Sequence, residues 1–176
     1  MNFLRITNDN EENFHKAWNL YEKSFPIYER RTLDTHIKSL DNENFYCTYI
    51  TENNTFIGIL FYWKLEEFIY IEHLAIDDSL RGKGYGSKIL KEFSLIETNL
   101  ILEIDPPIDD VSIKRYHFYK KAGFKLYDFE HIQLPYRKGY EGYKLKILAK
   151  GIDLSQEDYS KFYELMFKNL LPYCEK

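Results

Sequence analysis

Cysteine, glycine and proline are scarce in this chain: of 176 residues, 2 are Cys, 8 are Gly and 5 are Pro. Cys47 and Cys174 lie far apart and in no C-x-x-C or Cys/His ligand pattern. That excludes a disulfide framework and a zinc module, and predicts two reduced thiols and no metal. So little glycine and proline excludes a collagenous or low-complexity chain. A basic excess is missing too. Lys and Arg number 24 against 28 Asp and Glu, a net charge of −4, which argues against a nucleic acid as partner. The longest apolar run, Phe56 to Trp63, is far short of the ~18 residues that span a bilayer. Met1 to Glu12 lacks the apolar core of a signal peptide. Together these absences predict a soluble, cytoplasmic protein with no membrane partner.

What is present suits a packed domain. The chain is 44% hydrophobic and 18% aromatic. A domain of this length can bury roughly 70% of the surface its unfolded chain exposes. Phe14, Ala17, Trp18, Tyr21 and Phe25 recur at helical spacing before Pro26, predicting an amphipathic helix that proline stops. Leu33, Ile37 and Leu40 support a shorter helix. Phe45–Thr51 and Thr55–Trp63 flank Asn53-Asn54 and read as a hairpin, with Phe68–Ile76 a third long strand. Leu100–Asp105 is nearly all apolar, as a strand covered on both faces would be. Val111, Phe118 and Ala122 mark a helical stripe that ends at Gly123, and two further strands follow. Ser155 with Asp158 resembles a capping box, opening a last helix through Tyr159, Phe162, Tyr163, Met166 and Leu170. The predicted order is β-α-α-β-β-β-α-β-α-β-β-α, a mixed α+β sheet with helices on its faces.

Between the third long strand and the following helix stands Arg81-Gly82-Lys83-Gly84-Tyr85-Gly86. A strand turning through glycines into a helix offers free backbone N–H groups and the positive end of a helix dipole, which suits phosphate. The spacing is neither the Walker pattern nor G-x-G-x-x-G. By itself the loop also reads as a plain glycine-rich turn. It resembles, however, the R/Q-x-x-G-x-G/A pyrophosphate loop of the GNAT superfamily of acyl-CoA-dependent N-acyltransferases. Phe118-Tyr119-Lys120-Lys121-Ala122-Gly123-Phe124 is similar to that superfamily's second signature. The two agree in order, spacing and intervening strand over roughly residues 3–149.

The resemblance implies a mostly antiparallel sheet of about seven strands with a splayed central pair. It implies a GNAT domain over 1–150, with the helix of 151–176 packed on it. It further implies an N-acetyltransferase that moves an acetyl group from acetyl-CoA to a primary amine of a small molecule or peptide. Leu74, Ala75 and Ile76 would pair with the pantetheine arm, and Arg81, Gly82, Lys83, Gly84, Tyr85, Gly86 and Ser87 would hold the pyrophosphate. Tyr119 would protonate the departing thiolate, against the plain reading of a packing tyrosine. Glu72 and Glu103 are the candidate bases, against a reading as structural carboxylates. Glu72 ranks first, being two residues before Leu74 on the strand set against the thioester; His73, facing the other way, reads as a packing residue. Phe25, Tyr28, Glu29, Arg30 and Tyr136 would shape the acceptor pocket. A homodimer is compatible with this reading. Two alternatives are a non-catalytic acyl-CoA sensor of the same fold and a phosphate-binding domain for another nucleotide.

Overall fold

A computed structural model describes residues 1–175. Its elements are β1 (Asn2–Ile6), α1 (Glu12–Ser24), α2 (Leu33–Ser39), β2 (Phe45–Glu52), β3 (Thr55–Leu65), β4 (Phe68–Ile76), α3 (Tyr85–Ile96), β5 (Leu100–Ile104), α4 (Asp110–Lys121), β6 (Lys125–Ile132), β7 (Lys144–Lys150) and α5 (Gln156–Leu170). The order is the one the periodicities predict. The local reasons hold as well. Asn53 and Asn54 turn the β2–β3 hairpin at φ 50° and 62°, the left-handed pair a two-residue hairpin turn requires. Ser155 and Asp158 form the capping box that starts α5. The stripe on α4 differs: Val111 points outward, while Phe118, Tyr119 and Ala122 pack.

One seven-stranded sheet runs in the order β1-β2-β3-β4-β5-β7-β6. Every pairing is antiparallel except β4–β5, as the α3 crossover between those strands dictates. Alternate residues feed two cores. On one face Phe61, Trp63, Phe68, Tyr70 and Ile101 pack with α1 and with Phe162, Met166 and Leu170 of α5. On the other, Leu60, Tyr62, Ile69, Ile71 and Leu102 pack with Ile89, Leu90 and Phe93 of α3 and against α4. No helix among the described residues is long and apolar enough to cross a membrane.

Two irregularities in β4 position the site. The parallel ladder with β5 holds only from Ile69↔Leu100 to Ile71↔Leu102, and beyond it the strands part. In the β3 register, Phe61 faces His73 and Tyr62 faces Ile71, leaving Glu72 as an extra, bulged residue. A bulge reverses the alternation of the residues beyond it. Tyr70 belongs to the α1/α5 face, but Leu74 and Ile76 belong to the α3/α4 face. A regular strand would put Tyr70, Glu72, Leu74 and Ile76 on one face, and that alternation breaks at Glu72. His73 does not oppose Glu72: it packs against Tyr21, Phe25 and Phe61, on the side where Glu72 meets Trp63.

Candidate active site

The parted strands open a cleft of about 670 Å³. Glu72 to Ile76 line one wall and Leu102 to Asp105 the other; the glycine loop, Tyr119, Tyr136 and Tyr143 complete it. The cleft passes through the sheet, so residues of both faces meet in it.

On the α3/α4 side, Gly82 and Gly84 adopt φ values of 75° and 82°, left-handed conformations that glycine accepts without strain. A Cβ at either position would meet nothing within 4 Å, so backbone conformation rather than crowding requires glycine there. Gly84 caps α3 without a side-chain bond. The first helical acceptor is its carbonyl, bonded by the Lys88 N–H. The N–H groups of Tyr85, Gly86 and Ser87 precede that bond and have no helical acceptor. Arg81 ties the loop to the end of β4, its Nε donating to the Ile76 carbonyl at 3.3 Å and its guanidinium pairing with Asp78 at 2.8 Å. This is an open donor cradle at a helix N-terminus, and it fits an anion. Leu74, Ala75 and Ile76 run beside it with the β5-side edge unpaired.

Tyr119 stands on α4, its ring edge-on to Phe118 and Phe124. Burial pushes its hydroxyl up to about 12, and the neighbouring Arg115 opposes that rise. Arg115, one turn earlier on α4, pairs with Asp105 at 2.6 Å.

On the α1/α5 side the two strand carboxylates have different surroundings. The Glu72 side chain is wholly buried and bonded four times. Arg31 donates Nη2 to Oε1 at 2.6 Å and Nη1 to Oε2 at 2.9 Å. The Tyr136 hydroxyl donates to Oε1 at 2.7 Å and the Trp63 indole N–H to Oε2 at 2.9 Å. A carboxylate has about four lone-pair sites, and here all are taken. Burial pushes the carboxyl up, but the Arg31 charge and the bonds from Arg31 and Tyr136 outweigh it and hold it at about 2. A carboxylate with no free lone pair and so little basicity is unfit to accept a proton near neutral pH. The first-ranked base of the sequence reading is thus an anchor. The signal that could have found it is Arg31, a cation next to Arg30 in sequence that folds wholly inside, over the rings of Phe45, Trp63 and Tyr136.

Glu103 keeps access to the cleft, with 7% of its side chain exposed. It accepts from the Tyr70 hydroxyl at 2.9 Å and makes a short contact with His131 Nε2. Its position interrupts an apolar strand because Ile101 and Glu103 face α5 while Leu102 faces α3.

The acceptor-pocket candidates scatter. Phe25 and Glu29 line the cleft. Glu29 accepts from the Tyr143 hydroxyl at 2.9 Å; burial pushes its carboxyl up and the nearby Asp105 and Glu103 add to that. Tyr28 lies outside the cleft lining, packed on Tyr140 and Tyr143 at an exposed rim. Arg30 turns away to Glu22 at 2.8 Å. Tyr136 lines the cleft, but its hydroxyl serves Glu72. Arg137, also in the β6–β7 loop, donates to the carbonyls of Arg30 and Arg31. The loop before α2 and the β6–β7 loop are thereby clamped together. His73 is a packing residue with Nε2 2.9 Å from the Glu29 carbonyl oxygen. No cluster of metal-ligating side chains occurs among the described residues.

Comparison with known proteins agrees with this geometry. Residues 41–126 match the family model described as "Acetyltransferase (GNAT) domain". YjbC of Bacillus subtilis (strain 168), provisionally named an acetyltransferase, is 29% identical over 112 residues, which is 61% of this chain. The matched stretch spans 57% of that relative's length. A solved structure from Bacteroides thetaiotaomicron, provisionally assigned to the GNAT acetyltransferases, superposes with a TM-score of 0.91 at 27% identity over 98% of both chains. A GNAT family acetyltransferase from Elizabethkingia anophelis, solved with acetyl-CoA bound, superposes at 0.58 with 14% identity, covering 86% of this chain and 97% of that one.

Proposed function

For a chain whose residues 41–126 match a GNAT acetyltransferase domain and whose fold superposes over 98% of its length on a structure provisionally assigned to that family, we propose an acetyl-CoA-dependent N-acetyltransferase acting on a primary amine. One observation carries the reading. A single cleft joins an unpaired β4 edge, an uncapped helix N-terminus, Tyr119 and the cleft-facing carboxylate Glu103. A sensor that only binds acyl-CoA has no use for a carboxylate and a phenol at the point where the strands part.

The roles follow from the two sides of the cleft. The first-turn N–H groups of α3, with Arg81 and Lys83, hold the pyrophosphate, and Leu74 to Ile76 present backbone to the pantetheine. The acyl thioester then lies in the gap. Glu103 approaches from the α1/α5 side and takes the ammonium proton, directly or through water, because a primary amine is mostly protonated at neutral pH. The neutral amine attacks the thioester carbon, and backbone N–H freed along the β4 edge steadies the oxyanion. The C–S bond breaks as Tyr119 on the α4 side protonates the sulfur, and the proton that the new amide nitrogen sheds returns through water to the phenolate. Phe25 and Glu29 border the acceptor's entrance. Glu72 shapes the wall and takes no proton.

Two expected outcomes test this. Gly84→Val puts a β-branched side chain at a φ of 82° and into the open space before α3. Acetyl-CoA affinity should fall by at least about tenfold, ~1.4 kcal/mol, while the fold persists. Wild-type affinity in calorimetry of a folded variant would move the anion site elsewhere. Glu103→Gln should cut turnover by about 10²-fold or more at neutral pH and recover toward high pH, where the amine arrives neutral. The assay is CoA release against a panel holding a polyamine, an aminoglycoside and a peptide amine. Full activity at neutral pH, on any panel member that wild type acetylates, removes Glu103 as the base.

A further inference from the structure

Behind Glu103, on the side away from the glycine loop, a chain of buried polar groups leads out to α5. His131 on β6 has a side chain with 0% exposure, and its Nε2 contacts Glu103 Oε1. Its Nδ1 lies 3.1 Å from the Tyr159 hydroxyl. That hydroxyl is also 3.1 Å from the Glu130 carbonyl oxygen, in the stretch of β6 where pairing with β7 is interrupted. The imidazole is held edge-on by Tyr159 and Tyr163, at interplanar angles of 75° and 88°. Geometry and packing leave the ring one orientation.

A neutral imidazole has one donor and one acceptor, and the partner of one nitrogen decides the state of the other. When Tyr159 gives its proton to Nδ1, Nε2 carries the hydrogen and donates it to the Glu103 carboxylate. When Tyr159 turns to the Glu130 carbonyl, Nδ1 must donate to Tyr159. The Nε2–Oε1 contact then needs a second proton, since two lone pairs cannot face each other so closely. The first arrangement places a donor on Oε1; so does the second when its extra proton sits on Nε2, as imidazolium against carboxylate, rather than on Oε1 itself. A donor bonded to a carboxylate favours its charged form.

We propose that His131, with its tautomer set by Tyr159, is the positioning residue that holds the Glu103 carboxyl group in place and aimed into the cleft. The helix α5, which lies beyond the segment matched by the GNAT model, thereby takes part in the site. The inference rests on the assignment of Glu103 as proton acceptor. Other titratable groups face Glu103 as well: Tyr70 and His73 from β4, Tyr136 from the β6–β7 loop and Glu29 from the loop before α2. Of these only Tyr70 bonds it, its hydroxyl donating to Oε2.

The test needs no acceptor amine. The titration of the Glu103 carboxyl carbon is followed by NMR in the whole protein, with the imidazole nitrogens of His131 observed alongside. His131→Phe removes the donor and should move the Glu103 midpoint upward by about one pH unit or more. His131→Gln, which restores an N–H donor, should recover most of the difference. Tyr159→Phe should shift the midpoint in the same direction by less and change the proton distribution between Nδ1 and Nε2. It also serves where His131→Phe does not fold. A Glu103 midpoint unmoved in a folded His131→Phe or Tyr159→Phe protein overturns the proposal. If the midpoint moves but Glu103→Gln keeps full turnover, the base assignment falls and the hydrogen-bonded chain stands. If Glu103→Gln is inactive but the midpoint is unmoved, the reverse holds.

Discussion

Arg31→Met is expected to lower the stability of the folded protein by about 3–5 kcal/mol, the scale of a buried carboxylate stripped of its cation. That is a large share of the ~5–15 kcal/mol a domain has in total. The size follows from what remains. Glu72 would keep the Tyr136 and Trp63 donors, but its buried side chain would have no cation bonded to it, His73 being 3.8 Å away. Removing both charges should cost much less. In Arg31→Met with Glu72→Gln, the amide oxygen still accepts from Tyr136 or Trp63 and no net charge is stranded. Urea unfolding of the wild type, both single variants and the double variant gives the coupling directly. Additive losses would mean that the two side chains do not act as a pair.

The same pair sets a pH dependence. The folded Glu72 carboxyl lies at about 2, below its ordinary 4.5. Its stabilising contribution is therefore complete above about pH 4.5 and fades as pH falls from there toward 2. Glu72→Gln should flatten the stability profile in that window and, above it, be less stable than wild type by a margin that no longer changes with pH through this group.

Much of the architecture was legible because it depends on local patterns. Helical spacing in Phe14 to Phe25, alternation around Asn53-Asn54 and the glycines of the α3 turn each need only neighbouring residues to be read. The expectation of an anion cradle comes from the same segment, and that of the splay from the family resemblance the segment carries. What could not be read was the pairing of buried charges. Glu72 and Arg31 are 41 residues apart, and in sequence Arg31 is one of two adjacent arginines with opposite fates. Arg30 pairs outside with Glu22, while Arg31 lies under the sheet. The bulge at Glu72 hid the rest, since a period of two carries no mark of one inserted residue. With the bulge, Glu72 turns to Arg31, Trp63 and Tyr136, and Glu103 is the strand carboxylate left facing the cleft as the proposed base. His131 has no ligand-spaced partner in the sequence, and its partners in the fold are a carboxylate and a phenol brought in by β5 and α5.

Tyr119→Phe should lower turnover by about 10²-fold or more, the usual scale for a lost general acid, with acetyl-CoA affinity and stability nearly unchanged. The argument separates two uses of one ring. Its packing, edge-on to Phe118 at 5.0 Å and Phe124 at 5.6 Å between centroids, survives in phenylalanine. Its hydroxyl makes no hydrogen bond to another described side chain, as those of Tyr70, Tyr136 and Tyr143 do, so no bond within the fold is lost. Burial pushes that hydroxyl up to about 12, which keeps it protonated at neutral pH and ready to give. A phenol this weak donates well only to a partner whose proton affinity has also risen. A thiolate released between the same apolar walls is such a partner, because desolvation penalises its charge too. Pre-steady-state kinetics first establishes that acetyl transfer limits turnover; a loss confined to that step then marks the hydroxyl as the acid. Equal transfer rates in the two proteins would reduce Tyr119 to a packing residue, and water would be left as the proton source for sulfur.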